Sequence, residues 1–464
     1  MNAIVLSFDR LPVSFLACYG NNWIETPNFD RFAAQSATFQ QHFAESLVLD
    51  TIRHAWWSGC SEGRRQGEPN PRNLLPAVLA AQGVTVRLLL ETAAPVEIAP
   101  QAEQSAQDLS QLFPDWTESI VGTDGLDVSP DDTPFLRLIA RAQRDLRLLR
   151  TSRSEPWLLW IKSRGVPTPW LPPAEYARRF LDIDDEPADD EPTDDELAEE
   201  EALEGTNESD AEEADVEKLD EKDGTLLELS DSQFADLLRS AASLPPDRAA
   251  RDAMTDLDRA LTRKVLGGYL ALLDAGLGRL LETIDQSASG APTLVIVTAA
   301  QGLTVHEPGV LRDEWEPAAE EIVHVPLLIR VAGQNRGVRR QSLTQPVDIF
   351  PTLLEWFGLQ RPDSGLDGHS LLPDIRGDQW QPRRLAFATD GHALMTVRTP
   401  DHYFVQRSAP TPAEHDSEPA RRLFSKPEDA WEVSDVAAQS PQVVEELAAE
   451  CDRFFGEPEA KVDR

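Results

Sequence analysis

The sequence is short of several things that define other classes of chain. No stretch approaches the roughly 18 consecutive apolar residues of a membrane-spanning helix, so no membrane span is expected. Only three cysteines occur, Cys18, Cys60 and Cys451. They cannot all pair and they lack metal-ligand spacing, which argues against a disulfide framework and a structural zinc site and fits a reducing compartment. The eight histidines are scattered and suggest no cluster. Positive charge is scarce: 43 Lys and Arg stand against 81 Asp and Glu, a formal charge of −38, which argues against nucleic-acid binding. An apolar run begins at Ala3, leaving no room for the charged and apolar parts of a secretory leader, so the expected location is cytoplasmic.

The acidity is concentrated. Between Asp182 and Asp223 there are 23 Asp and Glu against Lys218 and Lys222, and no aromatic residue. Such a stretch buries too little apolar surface to offset the entropy of ordering, so residues 182–224 are expected to be a disordered acidic insertion. A solvated, self-repelling tether is the plain reading; a docking arm for a basic partner or a loose calcium buffer is the sharper one. With 464 residues the chain is long enough for one large α/β domain and a smaller one.

What is present begins with the first twenty residues. Ala3 to Phe8 is apolar and β-branched and stops at Asp9-Arg10, as a buried parallel strand stops at the carboxyl edge of a sheet. In open α/β sheets ligands bind along that edge. Asp9 is therefore a candidate metal ligand or catalytic group, and equally a turn former or helix cap.

After this strand come Cys18-Tyr19-Gly20-Asn21 and Thr26-Pro27-Asn28-Phe29-Asp30. With these two blocks the stretch resembles the opening of the sulfatases, a branch of the alkaline-phosphatase superfamily. In that family a strand ends in paired Asp residues and is followed by a CYGN-type turn and a TPNLD-type helix start. Further on, Glu321 to Arg330 is similar to the family's V-P-L-I-I strand and Gln345 to Leu359 to its V-D-I-x-P-T-L-L helix. Gly365 to Pro373 is similar to its GLDGxSLLP block. The resemblance implies an alkaline-phosphatase-like αβα sandwich with a central, mostly parallel sheet and a small C-terminal α+β subdomain. The expected layout is a sulfatase-like domain over residues 1–380, interrupted by the acidic insertion, and a subdomain over 381–464.

The motifs that carry the family's chemistry are altered. Sulfatases have C/S-x-P-x-R before a helix, and the Cys or Ser becomes the formylglycine nucleophile. With Arg53 on the motif arginine, Leu49 falls at the nucleophile position and Thr51 at the proline. Leucine has no heteroatom and cannot act as a nucleophile or be converted into one. A slip of register could offer Asp50 or Thr51 instead, although either is also the expected N-cap of the helix that follows. Arg53 itself is expected either to keep its family role or to pair with a buried carboxylate.

Where many sulfatases carry Lys-x-His after a strand, this chain has Glu91-Thr92-Ala93; where they carry P-H-x-P, Pro167 replaces the His. Lys162 and Arg164 lie nearby and could bind an anion. The strand Pro292 to Thr298 ends in Ala299-Ala300-Gln301-Gly302, where the family's Asp and His or Asn would bind the cation. His306 and Glu307 follow as remnants of a pocket wall or as loop residues.

Asp9 is thus the single metal-binding carboxylate kept, and a buried Asp9 without a counter-charge would be costly. The expectation is that the Arg10 guanidinium takes the cation's place, pairing with Asp9 and Asp50. The sequence reads as a sulfatase relative that has lost sulfuric-ester hydrolysis, retains Arg53 and Asp9 as remnants, and acts on an unknown ligand or protein partner through a pocket of Arg10, Asp50, Thr51, Lys162, Gln301 and His306. No cofactor is expected on that reading. The alternative is a divergent hydrolase of sulfate or phosphate esters, which would need calcium or magnesium.

Overall fold

The computed structural model describes residues 1–61, 70–93, 113, 117–122, 124–151, 155–181, 231–242, 254–286, 291–304, 318–360, 366–391, 393–407 and 421–455. The acidic insertion, His306 and Glu307 lie outside the described residues.

Strand β1 (Asn2–Arg10) is buried from Asn2 to Asp9, as its unbroken apolar run requires, because both of its faces are covered. It sits inside an eight-stranded sheet whose order is β4-β3-β5-β1-β6-β7-β2-β8. The other strands are β2 (Ala37–His42), β3 (Thr85–Ala93), β4 (Thr117–Gly122), β5 (Trp157–Gly165), β6 (Thr293–Gln301), β7 (Leu327–Arg330) and β8 (Val338–Thr344). Only β7 runs against its neighbours β6 and β2; the remaining pairings are parallel.

Alternation along β1 splits the core in two. Ile4, Leu6 and Phe8 face one layer, built mainly from the helices Pro134–Thr151, Ala174–Leu181 and Asp256–Asp285. Ala3 and Val5 face the other, built from α2 (Leu49–Ser58), α3 (Leu75–Ala81) and the helix Ile349–Trp356. This is the expected αβα sandwich. The long helix Asp256–Asp285 starts at a Thr255–Asp258 capping box. Its Asp274 Oδ1 accepts from the backbone N–H groups of Asn28 and Phe29, 2.9 Å each, and so satisfies the first turn of α1 (Pro27–Ala33), which has no side-chain cap of its own.

A second sheet, antiparallel, follows in the order β12-β11-β10-β9, from β9 (Ala386–Thr389) through β10 (Leu394–Arg398) and β11 (His402–Arg407) to β12 (Arg421–Ser425). The helix Pro441–Phe455 packs on it through Val444, Leu447, Ala448 and Cys451. Glu320 binds this sheet to the main domain, 2.9 Å from Arg398 and 2.7 Å from Lys426.

Two local expectations are corrected. The stretch Glu321 to Arg330 is not one strand: Glu320–Val323 forms a helical turn and β7 begins only at Leu327, after Pro326. Proline at 326 disfavours helix for the residue before it, and it cannot donate to a ladder, so the chain changes state there. The N-cap of α2 is Val48, with no side-chain cap bond, and not Asp50 or Thr51. Asp50 lies one residue inside the helix and its carboxylate is engaged by Arg53 instead.

Candidate ligand site at the carboxyl edge of the sheet

Strands β1, β3, β5 and β6 end side by side. Their last residues bring Asp9, Arg10, Glu91, Lys162, Arg164 and Gln301 to one edge. Ser7 is level with Lys162 across the β1/β5 ladder, so Asp9, two residues on and pointing to the same face, lies diagonally beside it.

Three nitrogens converge on the Asp9 carboxylate. Arg53 Nε donates to Oδ1 at 3.0 Å and Arg53 Nη2 to Oδ2 at 2.5 Å, a two-pronged grip from the buried side of α2. Lys162 Nζ donates to Oδ2 at 3.0 Å. All three side chains are nearly sealed from solvent, Lys162 at 3%, Asp9 at 7% and Arg53 at 10%. Burial alone pushes Asp9 upward; Lys162 and Arg53 outweigh it and hold the carboxyl below its ordinary value. Arg53 Nη1 also donates to Asp50 at 2.8 Å, one turn earlier on α2.

Arg10 does not pair with Asp9. Neighbouring side chains on a strand point to opposite faces, so Arg10 is turned toward the other layer, where Nη1 donates to Thr168 at 3.3 Å. It has no ion pair among the described residues. The expected counter-charge is therefore present but supplied by Lys162 and Arg53. Arg10 is held in place by backbone: Val166 N donates to its carbonyl at 2.9 Å as β5 turns away at Gly165.

On Arg10's side of the sheet lies a second polar group that sequence reasoning missed. Glu91 is 1% exposed, and its Oε2 accepts from Ser163 Oγ at 2.6 Å and from the Arg164 backbone N–H at 3.1 Å. Its Oε1 has no hydrogen-bond partner among the described residues. Burial drives this carboxyl up to about 7, with Asp124 adding to the effect. Asp124 accepts from Tyr269 Oη at 3.1 Å and lies 3.6 Å from Arg164. The signal for Glu91 was available: like Asp9, it is a carboxylate closing an apolar strand. Nothing in the sequence singled out Asp124 or Tyr269.

The other candidate residues are less engaged. Gln301 closes β6, and its Nε2 donates to the Leu47 carbonyl at 2.7 Å, tying β6 to the segment that leads into α2. Leu49 packs partly against the core behind the sheet and Thr51 is half-buried.

These residues do not fit a divalent cation. Calcium takes about six to eight oxygen ligands. Here Asp9 is already bound by two cationic side chains, position 10 is an arginine, and position 300 is a buried alanine. Among the described residues no group of three or more His, Cys, Asp and Glu is arranged to hold a metal. A cavity of about 410 Å³ exists elsewhere, bordered by Cys18, Asp30, Thr38 and Arg339, and none of the residues around Asp9 lines it.

Comparison with known proteins agrees with this architecture. The chain is 34% identical over 122 residues to the multifunctional alkaline phosphatase superfamily protein PehA of Trinickia caryophylli, a match covering 25% of this chain and 23% of that protein. Bovine (Bos taurus) arylsulfatase A is 28% identical over 216 residues, covering 40% of this chain and 43% of that protein. The matches thus span less than half the length of either relative. The solved structure of a phosphonate monoester hydrolase of Agrobacterium radiobacter superposes with a TM-score of 0.62 at 20% identity, covering 98% of this chain and 95% of that one. A sequence model described as Sulfatase matches residues 1–359. With that match across most of the chain, on a sheet and helix layers of the same design, the protein belongs to the sulfatase family.

Proposed function

We propose that this sulfatase-family protein has lost sulfuric-ester hydrolysis and works by holding a ligand or partner at the carboxyl edge of its sheet. The observation that carries the reading is the state of Asp9. Its two oxygens are occupied by Arg53 and Lys162, so the carboxylate is not available to a divalent cation that would polarise a sulfate or phosphate ester. Two features of the sequence support it. Leu49 at the nucleophile position offers no attacking atom, and Pro167, where the family has a histidine, cannot transfer a proton. Kinship of fold favours an enzyme, but function is decided at the site. Arg10 and Arg164, at the same edge of the sheet, are cations suited to an anionic group on the ligand.

One observation favours a second reading, a divergent hydrolase of sulfate or phosphate esters. Asp50, 52% exposed and steadied by Arg53 at the start of α2, is a carboxylate placed near the family's nucleophile. A single experiment separates the two. The purified full chain is assayed with aryl sulfate, aryl phosphate and phosphonate monoester substrates, each with calcium, magnesium, manganese or zinc. The non-hydrolytic reading expects no turnover above that of an Asp50→Asn, Asp9→Asn double variant. Turnover that the double variant lacks overturns it in favour of the hydrolase.

A further inference from the structure

We propose that Lys162 is a built-in replacement for a divalent cation: its ammonium, beside the Arg53 guanidinium, fills the coordination space of Asp9 and holds this edge of the sheet together without metal. The inference deepens the reading above and rests on it, since a metal-dependent hydrolase could not use the site in this way.

The geometry supports it on three counts. A carboxylate presents about four lone-pair positions, and three nitrogens at 3.0, 2.5 and 3.0 Å already use most of them. A calcium ion approaches a carboxylate oxygen to about 2.3–2.6 Å, a distance at which it would lie against both cations. The charges balance as well. The family's pattern calls for carboxylates at positions 10 and 300, and the chain has Arg10 and Ala300 there. With those negative charges gone, a divalent ion would be left with too few anions, whereas one ammonium and one guanidinium match Asp9 and Asp50.

The position of the ammonium is also fixed. Lys162 points to the same face as Trp160, two residues earlier on β5. The Trp160 ring packs 4.1 Å from Trp57 and 6.0 Å from Trp56, both on α2, and its Nε1 donates to Ser7 Oγ at 2.8 Å. The same helix carries Arg53. Three packed tryptophans therefore bridge β5 and α2 beside the site, and the lysine side chain is 3% exposed. A cation so enclosed is retained only with its counter-ion.

The test is thermal melting of the full chain and three variants, with calcium chloride or chelator, and with propylammonium chloride, which supplies the carbon and nitrogen atoms that Lys162→Ala removes. The expected results are a wild-type melting temperature unmoved by calcium, chelator or propylammonium, a lower one for Lys162→Ala, and recovery of most of that loss by propylammonium but not by calcium, since Asp9, Asp50 and Arg53 leave one net negative charge once Lys162 is gone. Lys162→Gln, which keeps the stem, covers the case in which the alanine variant does not fold. Its melting temperature should lie below that of the wild type and not rise with calcium, and adding Asp9→Asn should recover part of the loss by removing the under-compensated charge. Calcium that stabilises the wild type through Asp9 overturns the proposal, as does a Lys162 variant that melts like wild type. Turnover by a wild-type chain indifferent to calcium would instead sink the non-hydrolytic reading and leave the role of Lys162 intact.

Discussion

Arg53 grips Asp9 through both carboxylate oxygens across 44 residues of sequence, joining the first turns of α2 to the end of the central strand. Breaking a buried ion pair from one side costs about 3–5 kcal/mol, because the remaining charge stays desolvated. Arg53→Met should therefore lower the unfolding free energy by an amount in that range, with Lys162 still offsetting part of the Asp9 charge. Arg53→Lys should recover only part of it, since an ammonium cannot reproduce the parallel pair of N–H donors. Urea denaturation of the three chains at one pH measures both differences; equal midpoints for all three would contradict the grip.

Glu91 makes stability depend on pH. Its carboxyl is raised in the fold to about 7 from an ordinary 4.5, chiefly by burial. An acid whose folded value is raised is protonated in the native state over a window where the unfolded chain has already released its proton. Stability then falls as pH rises from about 4.5 to 7 and changes no further above that on account of this group. The whole effect is on the order of 3 kcal/mol. Glu91→Gln keeps an acceptor for Ser163 and the Arg164 amide but cannot ionise, so it should flatten this part of the profile and be the more stable protein at pH 8. Denaturant midpoints taken from pH 4.5 to 8 test it, and parallel profiles for the two chains would rule it out.

The first strand could be read from its pattern and the wider architecture from the resemblance to the sulfatases, but the site much less so. The buried run Ala3 to Phe8 and the carboxylate that ends it placed both β1 and Asp9 correctly, because a strand covered on two faces leaves an unmistakable apolar record. Lys162 was legible as a cation at a strand end but not as Asp9's partner, for the two are 153 residues apart and only the β1/β5 register sets them side by side. The choice of Arg10 as counter-charge failed on alternation: adjacent residues of one strand cannot share a face. The expected cap of α2 failed because Asp50 was spoken for by Arg53, a contact that propensity does not see. Glu91 was noticed only as a missing lysine. Its burial depends on Ser163 and Arg164, which β5 brings alongside β3.

Restoring the family's nucleophile should not restore its chemistry. A chain carrying Leu49→Cys and Thr51→Pro, produced together with a formylglycine-generating enzyme, regains the motif ahead of Arg53. The rest of the site is unchanged: Asp9 remains bound by Lys162 and Arg53, position 300 stays alanine, and Pro167 still offers no proton. The expected outcome is oxidation of the cysteine, visible by mass spectrometry, with no hydrolysis of aryl sulfates in the presence of calcium. Hydrolysis by this double variant would mean that loss of the nucleophile was the sole defect.

Gly165 offers a test of how the edge itself is built. Its φ is +65°, in the left-handed region, and a Cβ added there would lie 2.0 Å from the carbonyl oxygen of Arg10, the same oxygen that accepts from Val166 N. The atom in the way is backbone, so no side-chain rotation relieves the clash. Gly165→Ala must therefore push β5 away from the end of β1 or break the Val166 bond. A non-glycine residue in such a conformation costs on the order of 1–3 kcal/mol before the contact is counted. The displaced segment runs on to Thr168, the partner of Arg10, and begins three residues after Lys162, so the damage should spread to the site. The variant should unfold at lower denaturant, and its amide hydrogens in 163–168 should exchange faster than in wild type while those in 2–8 stay protected. A uniform rise in exchange along all of β1 would show instead that the turn at Gly165 supports the whole strand and not its edge alone.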